Sequence, residues 1–400
     1  PFVFAVALER GWAPASVVTR LDEPIETLQG AWIPEDEHAE TAEMTLRTAL
    51  RTSSNRAAVR LLAEVGIPPT VSYAKQLGVG DVPPVPSLAL GSGEVTLIDL
   101  TAAYGAFANG GIYTRPRLIR RVEDRDGTVL YEAPLEQRRV VSETTAFLLS
   151  SMLQDVIAYG TGWKARQAGF TLPAAGKTGT TNQYVDAWFV GYTPRLVAGV
   201  WVGFDQPKTI VNNGYASDIA VPLWGRFMKA ATKNDRPEWY KPPRGLVAVT
   251  VCRISGLLPN DGCGDVAVVR DDGETERRSM LITEYFPQGR TPIGVCPLHE
   301  KRNLFEVMAG WFGGDRDGAP KDAGRPPVEP VGDVQAAPTA GETPGAAESA
   351  EAPKKKKKRG FWSRLFGIGR DDDRKDRDGS PDDERRPERR GDDRDRDERD

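Results

Sequence analysis

The chain has 400 residues, 39% of them hydrophobic and 28% charged, with a formal net charge of −4. Length and apolar content allow a substantial core and two or three domains, and the near-balanced charge marks out no nucleic-acid partner. No run approaches the roughly 20 apolar residues that cross a bilayer, and the first residues do not read as a signal peptide.

From the N-terminus, "PFVFAVALERG" is a helical pattern closed by Gly11, and a helix that opens without a cap points to a chain cut from a longer one. Residues 43–65 carry two helical stripes. Leu46, Ala49 and Leu50 form the first, Ala58, Val59, Leu61 and Leu62 the second, and Ser53-Ser54-Asn55 stands between them. Taken alone, Ser-x-Asn reads as a helix boundary made of capping residues. Thr96 to Asp99 is a capping box leading into "LTAAYGAFANGG", whose Asn-Gly-Gly ending stops a helix, and another helix runs from near Ser142 to Gly160.

The segment "AAGKTGTTNQYVDAWFVGY", 174–192, contains a Gly-Lys-Thr that invites a phosphate-loop reading. The loop pattern requires a further glycine at 171, where the chain has Thr171, and a helix after the lysine. The residues after Lys177 are instead β-rich: Asp186 to Tyr192 and Leu196 to Phe204 read as strands, so the lysine sits on the first strand of an antiparallel meander. Alternation puts Thr178 and Thr180 on one face and Lys177 on the other, and Gly179 leaves the backbone uncovered. Two hydroxyls, a cation and a bare strand edge suit a peptide with a free carboxylate; an ordinary edge strand has the same composition. A helix at "VPLWGRFMKAAT" comes next, and the mixture of helices with an antiparallel sheet is an α+β domain.

The three cysteines, Cys252, Cys263 and Cys296, form no C-x-x-C pair, and His299 is the one nearby candidate for a fourth zinc ligand. The spacing matches no standard zinc pattern. One disulfide with a spare thiol is therefore the expectation in an oxidising compartment, and no metal or cofactor is assigned. With His38 and His299 the only histidines, serine chemistry here would use lysine as its base. From Gly313 to Pro353 the composition cannot bury a core. Lys354 to Arg359 then precede "GFWSRLFGIGR", in which Phe361, Trp362, Leu365 and Phe366 share a helical face. This basic 354–370 segment suits an anionic lipid surface or wall polymer, or is simply solvated, and 371–400 mixes Asp and Arg as disordered chain does.

Read together and in order, these segments resemble the transpeptidase domain of class A, bifunctional penicillin-binding proteins, whose signatures are S-x-x-K, S-x-N and K-T-G. Ser53-Ser54-Asn55 matches the second and Lys177-Thr178-Gly179-Thr180 the third. "GSGEVTLIDLTAAYGAFANGG" and "AVPLWGRFM" also resemble family segments, so the likeness covers about residues 1–235. "EYFPQGRTP" and the cysteine after it resemble a C-terminal extension of some members. In the family, S-x-x-K stands just before a helix beginning "PF". The chain is thus expected to start immediately after that lysine, without the nucleophile.

The resemblance implies a serine β-lactamase/penicillin-binding transpeptidase fold over 1–240, a small β-rich extension over 241–312, and a disordered linker and tail over 313–400. It implies a D,D-transpeptidase that cross-links peptidoglycan stem peptides ending in D-Ala-D-Ala through a serine acyl-enzyme, and that β-lactams trap. Ser53 would relay a proton, Asn55 would hold the upstream lysine and the substrate amide, and Lys177 would supply positive potential. Thr178 and Thr180 would bind the terminal carboxylate beside Gly179, with the Thr180 N–H as an oxyanion donor. The membrane anchor and glycosyltransferase domain of an intact member would lie upstream, with this part on the periplasmic side of the inner membrane. A D,D-carboxypeptidase or serine β-lactamase relative, or a silent peptidoglycan-binding module, are the alternatives.

Overall fold

Apolar on every side, the first helix, α1 (Phe2–Glu9), buries Val3 through Leu8, as a helix without a polar face must. The structure, a computed structural model, describes residues 1–27, 30–36, 41–269 and 273–299, all within one compact unit, Pro1–Ala336. His38, the expected linker, the basic 354–370 segment and the charged tail lie outside the described residues.

Two short antiparallel pairs follow α1: β1 (Val17–Val18) with β4 (Met44–Thr45), and β2 (Ile25–Thr27) with β3 (Gly30–Trp32). The two helices expected over 43–65 are α2 (Leu46–Thr52) and α3 (Asn55–Val65). Next comes α4 (Ile67–Gln76), which sequence reasoning missed because Pro68-Pro69 reads as a break; both prolines sit in its first turn, where no amide hydrogen bond is lost. Helix α5 (Leu97–Ala108) starts at the expected cap, where the Thr96 hydroxyl accepts the Asp99 N–H at 3.1 Å. Strands β5 (Ile112–Thr114) and β8 (Gln137–Arg139) pair around an exposed hairpin of β6 (Arg121–Glu123) and β7 (Val129–Glu132). Helix α6 (Glu143–Tyr159) begins at the Ser142 cap and ends at Gly160, and α7 (Lys164–Gln167) is a single turn.

The expected meander is present as β9 (Ala175–Thr180), β10 (Ala187–Tyr192) and β11 (Val197–Val202), in the order β11-β10-β9. Its pleat divides two cores. Ala175, Val190 and Tyr192 join the large core around α1, α5 and α6. Phe189 and Ala187 turn the other way, to α8 (Ala216–Ala231), where Phe189 and Phe170 meet the Trp224 ring edge-on at centroid distances of 5.0 and 5.2 Å. Beyond α8, β12 (Leu246–Cys252) pairs along its whole length with β15 (Leu281–Pro287), and β13 (Val266–Val269) pairs with β14 (Thr275–Arg278). Among the described residues, no helix is long and apolar enough to cross a membrane.

One ion-pair knot joins these parts. The Arg47 guanidinium, on α2, donates from Nε and Nη2 to the two carboxylate oxygens of Glu284 on β15, at 2.5 and 2.7 Å. Its Nη1 reaches Asp155 Oδ2 and Ser151 O on α6, both at 3.0 Å. Glu284 is fully buried. Burial works against the Arg47 charge, but Glu284 and then Asp155 outweigh it and hold the guanidinium above its ordinary range. Removing one partner leaves the other as an uncompensated buried charge. Glu284→Ala is therefore expected to cost about 3–5 kcal/mol in denaturant unfolding, and the paired apolar variant Arg47→Met/Glu284→Leu far less.

The expected disulfide does not form. Cys252, Cys263 and Cys296 are buried free thiols, and their Sγ atoms lie 3.4, 3.5 and 3.5 Å from His299 Nδ1. Convergence of all three on one ring nitrogen is a tertiary fact that their spacing along the chain conceals.

Candidate active site

The break between α2 and α3 is sharp because two serines make it. Ser53 ends α2 in the left-handed region, at φ 60 and ψ 39, a conformation that disfavours any residue with a Cβ. Ser54 caps α3: its hydroxyl accepts the Ala57 N–H at 3.2 Å and donates to Asp36 Oδ2 at 2.6 Å. Asp36 also accepts the Arg56 N–H at 3.1 Å, and Asn55 Nδ2 donates to Glu35 O at 2.8 Å. The two motif residues thus differ in task from the residue between them, since Ser54 builds the turn that orients Ser53.

Lys177 arrives from the other side, on β9. Its Nζ donates to Ser53 Oγ at 2.7 Å, to Thr178 O at 3.1 Å and to Thr178 Oγ1 at 3.4 Å. The structure therefore joins Ser53 and Lys177, 124 residues apart in sequence. The expected opposition of Lys177 and Thr178 across the strand is modified: the long side chain bends back to the edge of β9, and its ammonium meets its neighbour's carbonyl and hydroxyl. Burial holds the Lys177 ammonium down to about 8 from its usual 10.5.

Thr178 and Thr180 are anchored by residues that the sequence pattern did not single out. The Thr178 hydroxyl shares a 2.8 Å hydrogen bond with Thr161, in the Gly160-Thr161-Gly162 turn after α6. A Cβ on Gly160 would lie 2.4 Å from Arg51 O, so this close approach of the α6 end to the α2 end needs glycine. The exposed Thr180 accepts the Ala216 N–H, from the first turn of α8, at 3.0 Å. The Thr180 hydroxyl thus stands at the positive end of that helix dipole, a setting that favours an anion. Just past β9, the Thr181 N–H donates to Asp186 O, toward β10. By the alternation of an antiparallel ladder, the N–H groups of Thr178 and Thr180 turn to the open edge of the sheet. At Gly179 an added Cβ would lie 3.3 Å from the Trp188 Cβ, closer than an ordinary contact, so a side chain there would press on β10.

The start of α1 belongs to the same place. The Pro1 nitrogen lies within electrostatic reach of Lys177. A strand edge, a desolvated cation held on a serine, and a helix N-terminus are parts with which a site can bind a peptide carboxylate and move protons next to it.

Residues 1–229 match the penicillin binding protein transpeptidase domain, and residues 242–301 match the C-terminal domain of penicillin-binding protein 1A. The chain belongs to the penicillin-binding protein transpeptidase family. Penicillin-binding protein 1A of Pseudomonas aeruginosa is 34% identical over 313 residues, which are 64% of this chain and 38% of that protein. Its counterpart in Neisseria gonorrhoeae is 36% identical over 262 residues, 62% of this chain and 32% of that one. The crystal structure of penicillin-binding protein 1A from Haemophilus influenzae superposes with a TM-score of 0.64 at 26% identity, over 74% of this chain and 48% of that one. The chain thus spans well under half the length of the two curated relatives. The fold is the one the resemblance implied, α+β of the penicillin-binding transpeptidase type.

Two outcomes check the geometry. Between about 8 and 10.5 the unfolded chain keeps the Lys177 proton and the folded chain has lost it, so stability rises with pH across that window. The rise is worth up to about 3 kcal/mol and should vanish in Lys177→Met, read from unfolding midpoints across the pH series. Ser53→Gly relieves the left-handed strain as it removes the hydroxyl and is expected to stay within about 1 kcal/mol of wild type. Ser53→Ala keeps the strain, loses the Lys177 contact and should fall by about 1–2 kcal/mol on the same measurement.

Proposed function

We propose that this chain is the acyl-transfer part of a class A D,D-transpeptidase that cross-links peptidoglycan stem peptides. The 2.7 Å contact between Lys177 Nζ and Ser53 Oγ carries this reading. It joins the S-x-N and K-T-G segments into one proton-handling pair at the open edge of β9. The serine and lysine of S-x-x-K are expected immediately before Pro1, whose nitrogen lies within electrostatic reach of Lys177.

In the reaction, the upstream serine oxygen bonds to the D-Ala-D-Ala carbonyl carbon, and its proton passes to the upstream lysine. The Thr180 N–H, at the strand edge, stabilises the oxyanion. A donor of this kind is typically worth about 2.7–4 kcal/mol. Ser53, polarised by Lys177, delivers a proton to the D-alanine nitrogen as the C–N bond breaks. The amine of a second stem peptide then attacks the ester, its proton leaves by the same relay, and an amide forms as the serine hydroxyl is restored. The Thr178 and Thr180 hydroxyls and the Lys177 charge hold the terminal carboxylate, and Asn55 positions the upstream lysine and the substrate amide. A β-lactam would acylate the same serine. The division into a transpeptidase part over 1–240, an extension over 241–312 and a tail belongs to this reading, as does an upstream glycosyltransferase domain and membrane anchor with the site facing the periplasm.

The test is a fluorescent-penicillin gel on this chain and on the same chain extended upstream through its reading frame. The extended protein should carry a covalent label that is lost when its S-x-x-K serine becomes alanine, and Lys177→Ala should cut the acylation rate by at least tenfold. An extended protein that stays dark, with no S-x-x-K before Pro1, would overturn the enzyme reading in favour of a binding module.

A further inference from the structure

We infer that Cys252, Cys263, Cys296 and His299 bind one Zn²⁺ ion that holds the C-terminal β extension together. The four ligand atoms lie within 4.8 Å of one another, and each sulfur is 3.4–3.5 Å from His299 Nδ1. With Zn–S near 2.3 Å and Zn–N near 2.0 Å, a tetrahedral centre separates sulfur from nitrogen by about 3.5 Å. The donors therefore stand where a bound ion would need them.

Separate pieces of chain bring them there. Cys252 ends β12, where its N–H donates to Leu257 O at 2.9 Å and its carbonyl accepts the Gly256 N–H at 2.8 Å, closing a tight turn. Asn260 then clamps two ligand loops: Oδ1 accepts the Gly262 and Cys263 N–H groups at 2.9 and 3.2 Å, and Nδ2 donates to Cys296 O at 2.8 Å. Cys296 is drawn in by a parallel bridge between Leu258 and Val295, with its own N–H donating to Leu258 O at 2.7 Å. A Cβ on Gly262 would fall 1.5 Å from His299 O, so the fourth ligand seats against a bare glycine.

The donor chemistry selects the ion. Three thiolates and an imidazole are a soft, nitrogen-containing set that fits Zn²⁺ and excludes magnesium and calcium, which take oxygen. Four protein ligands leave no open position, as in a structural rather than a catalytic site. The three sulfurs are buried among Val268, Met280, Ile254 and Val266, an apolar shell that dries the centre. On binding, each thiol bonds to the metal and releases its proton to solvent, which makes metal affinity folding free energy. The ion would brace β12 against the 294–299 segment. β12 is itself paired with β15, which carries Glu284.

The test uses the whole 400-residue chain, purified without chelator. Metal analysis should find one zinc per chain, and the intact mass under non-reducing, denaturing conditions should be that of the fully reduced protein. Titration with a mercurial should release one zinc for three thiols modified, which needs no variant to fold. Cys263→Ser and His299→Ala should each lower zinc content at least tenfold under competition with a chromogenic chelator. A metal-free chain lighter by two hydrogens would replace the site with a disulfide. A metal-free chain with three free thiols after incubation with zinc, or one holding iron instead, would equally overturn the assignment.

Discussion

Arg47 is the point on which the geometry of the site depends. It stands in the first turn of α2, where a cation opposes the helix dipole, and it is largely buried, where a cation is costly. Both penalties are offset by Glu284 and Asp155, the first through two parallel hydrogen bonds that only a planar guanidinium can supply. The consequence is positional. Helix α2 cannot slide along α6 or away from β15 without breaking the knot, so the far end of α2, at Ser53, is set. The far end of α6 is set with it, and there Thr161 meets Thr178.

The S-x-N and K-T-G segments are where local stability is given up. Ser53 holds a backbone conformation suited to glycine, Lys177 keeps its charge against desolvation, and β9 ends the sheet with an open edge. Each feature is unfavourable alone, and under the proposed function they work together: the strained turn would aim the hydroxyl, the desolvated ammonium polarise it, and the strand edge accept an extended peptide. Such concentrations of strain need surroundings that over-determine them. Here those are the α1 core on one side of the sheet and the Trp224 aromatic cluster on the other.

The β extension is tied into this scheme rather than appended to it. Its strand β15 supplies Glu284, and Phe147 of α6 meets Tyr285 edge-on at 5.1 Å. A cross-link within the extension therefore bears on how firmly Arg47 is held. The cysteines show how spacing misleads. A pattern that matches no familiar zinc motif along the chain becomes a compact donor set once β12, the Asn260 turn and the Leu258–Val295 bridge bring the parts together.

Much of this molecule was legible in its residues. Periodicity and caps located α1, α2, α3, α5 and α6, because apolar stripes and Ser or Thr caps are local signals that tertiary contacts did not override. The β-branched run after Lys177 identified a strand where a phosphate loop would need a helix, and S-x-N with K-T-G in order pointed to the family. Other features depended on contacts between distant segments. Helix α4 was hidden by prolines that are harmless in a first turn, and the short pairs β1–β4 and β5–β8 have too few residues for a period. Asp36, Thr161 and Ala216 act at the site through single hydrogen bonds to motif residues, and no local pattern marks a residue for a partner far along the chain. The sequence by itself determined the strongly patterned elements and the reactive residues they carry, since caps, alternation and residue type act within a few positions. Only the tertiary structure decided that Lys177 donates to Ser53, that Arg47 joins α2 to β15, and that three thiols meet one imidazole, because those depend on where the packed cores set segments more than a hundred residues, or several strands, apart.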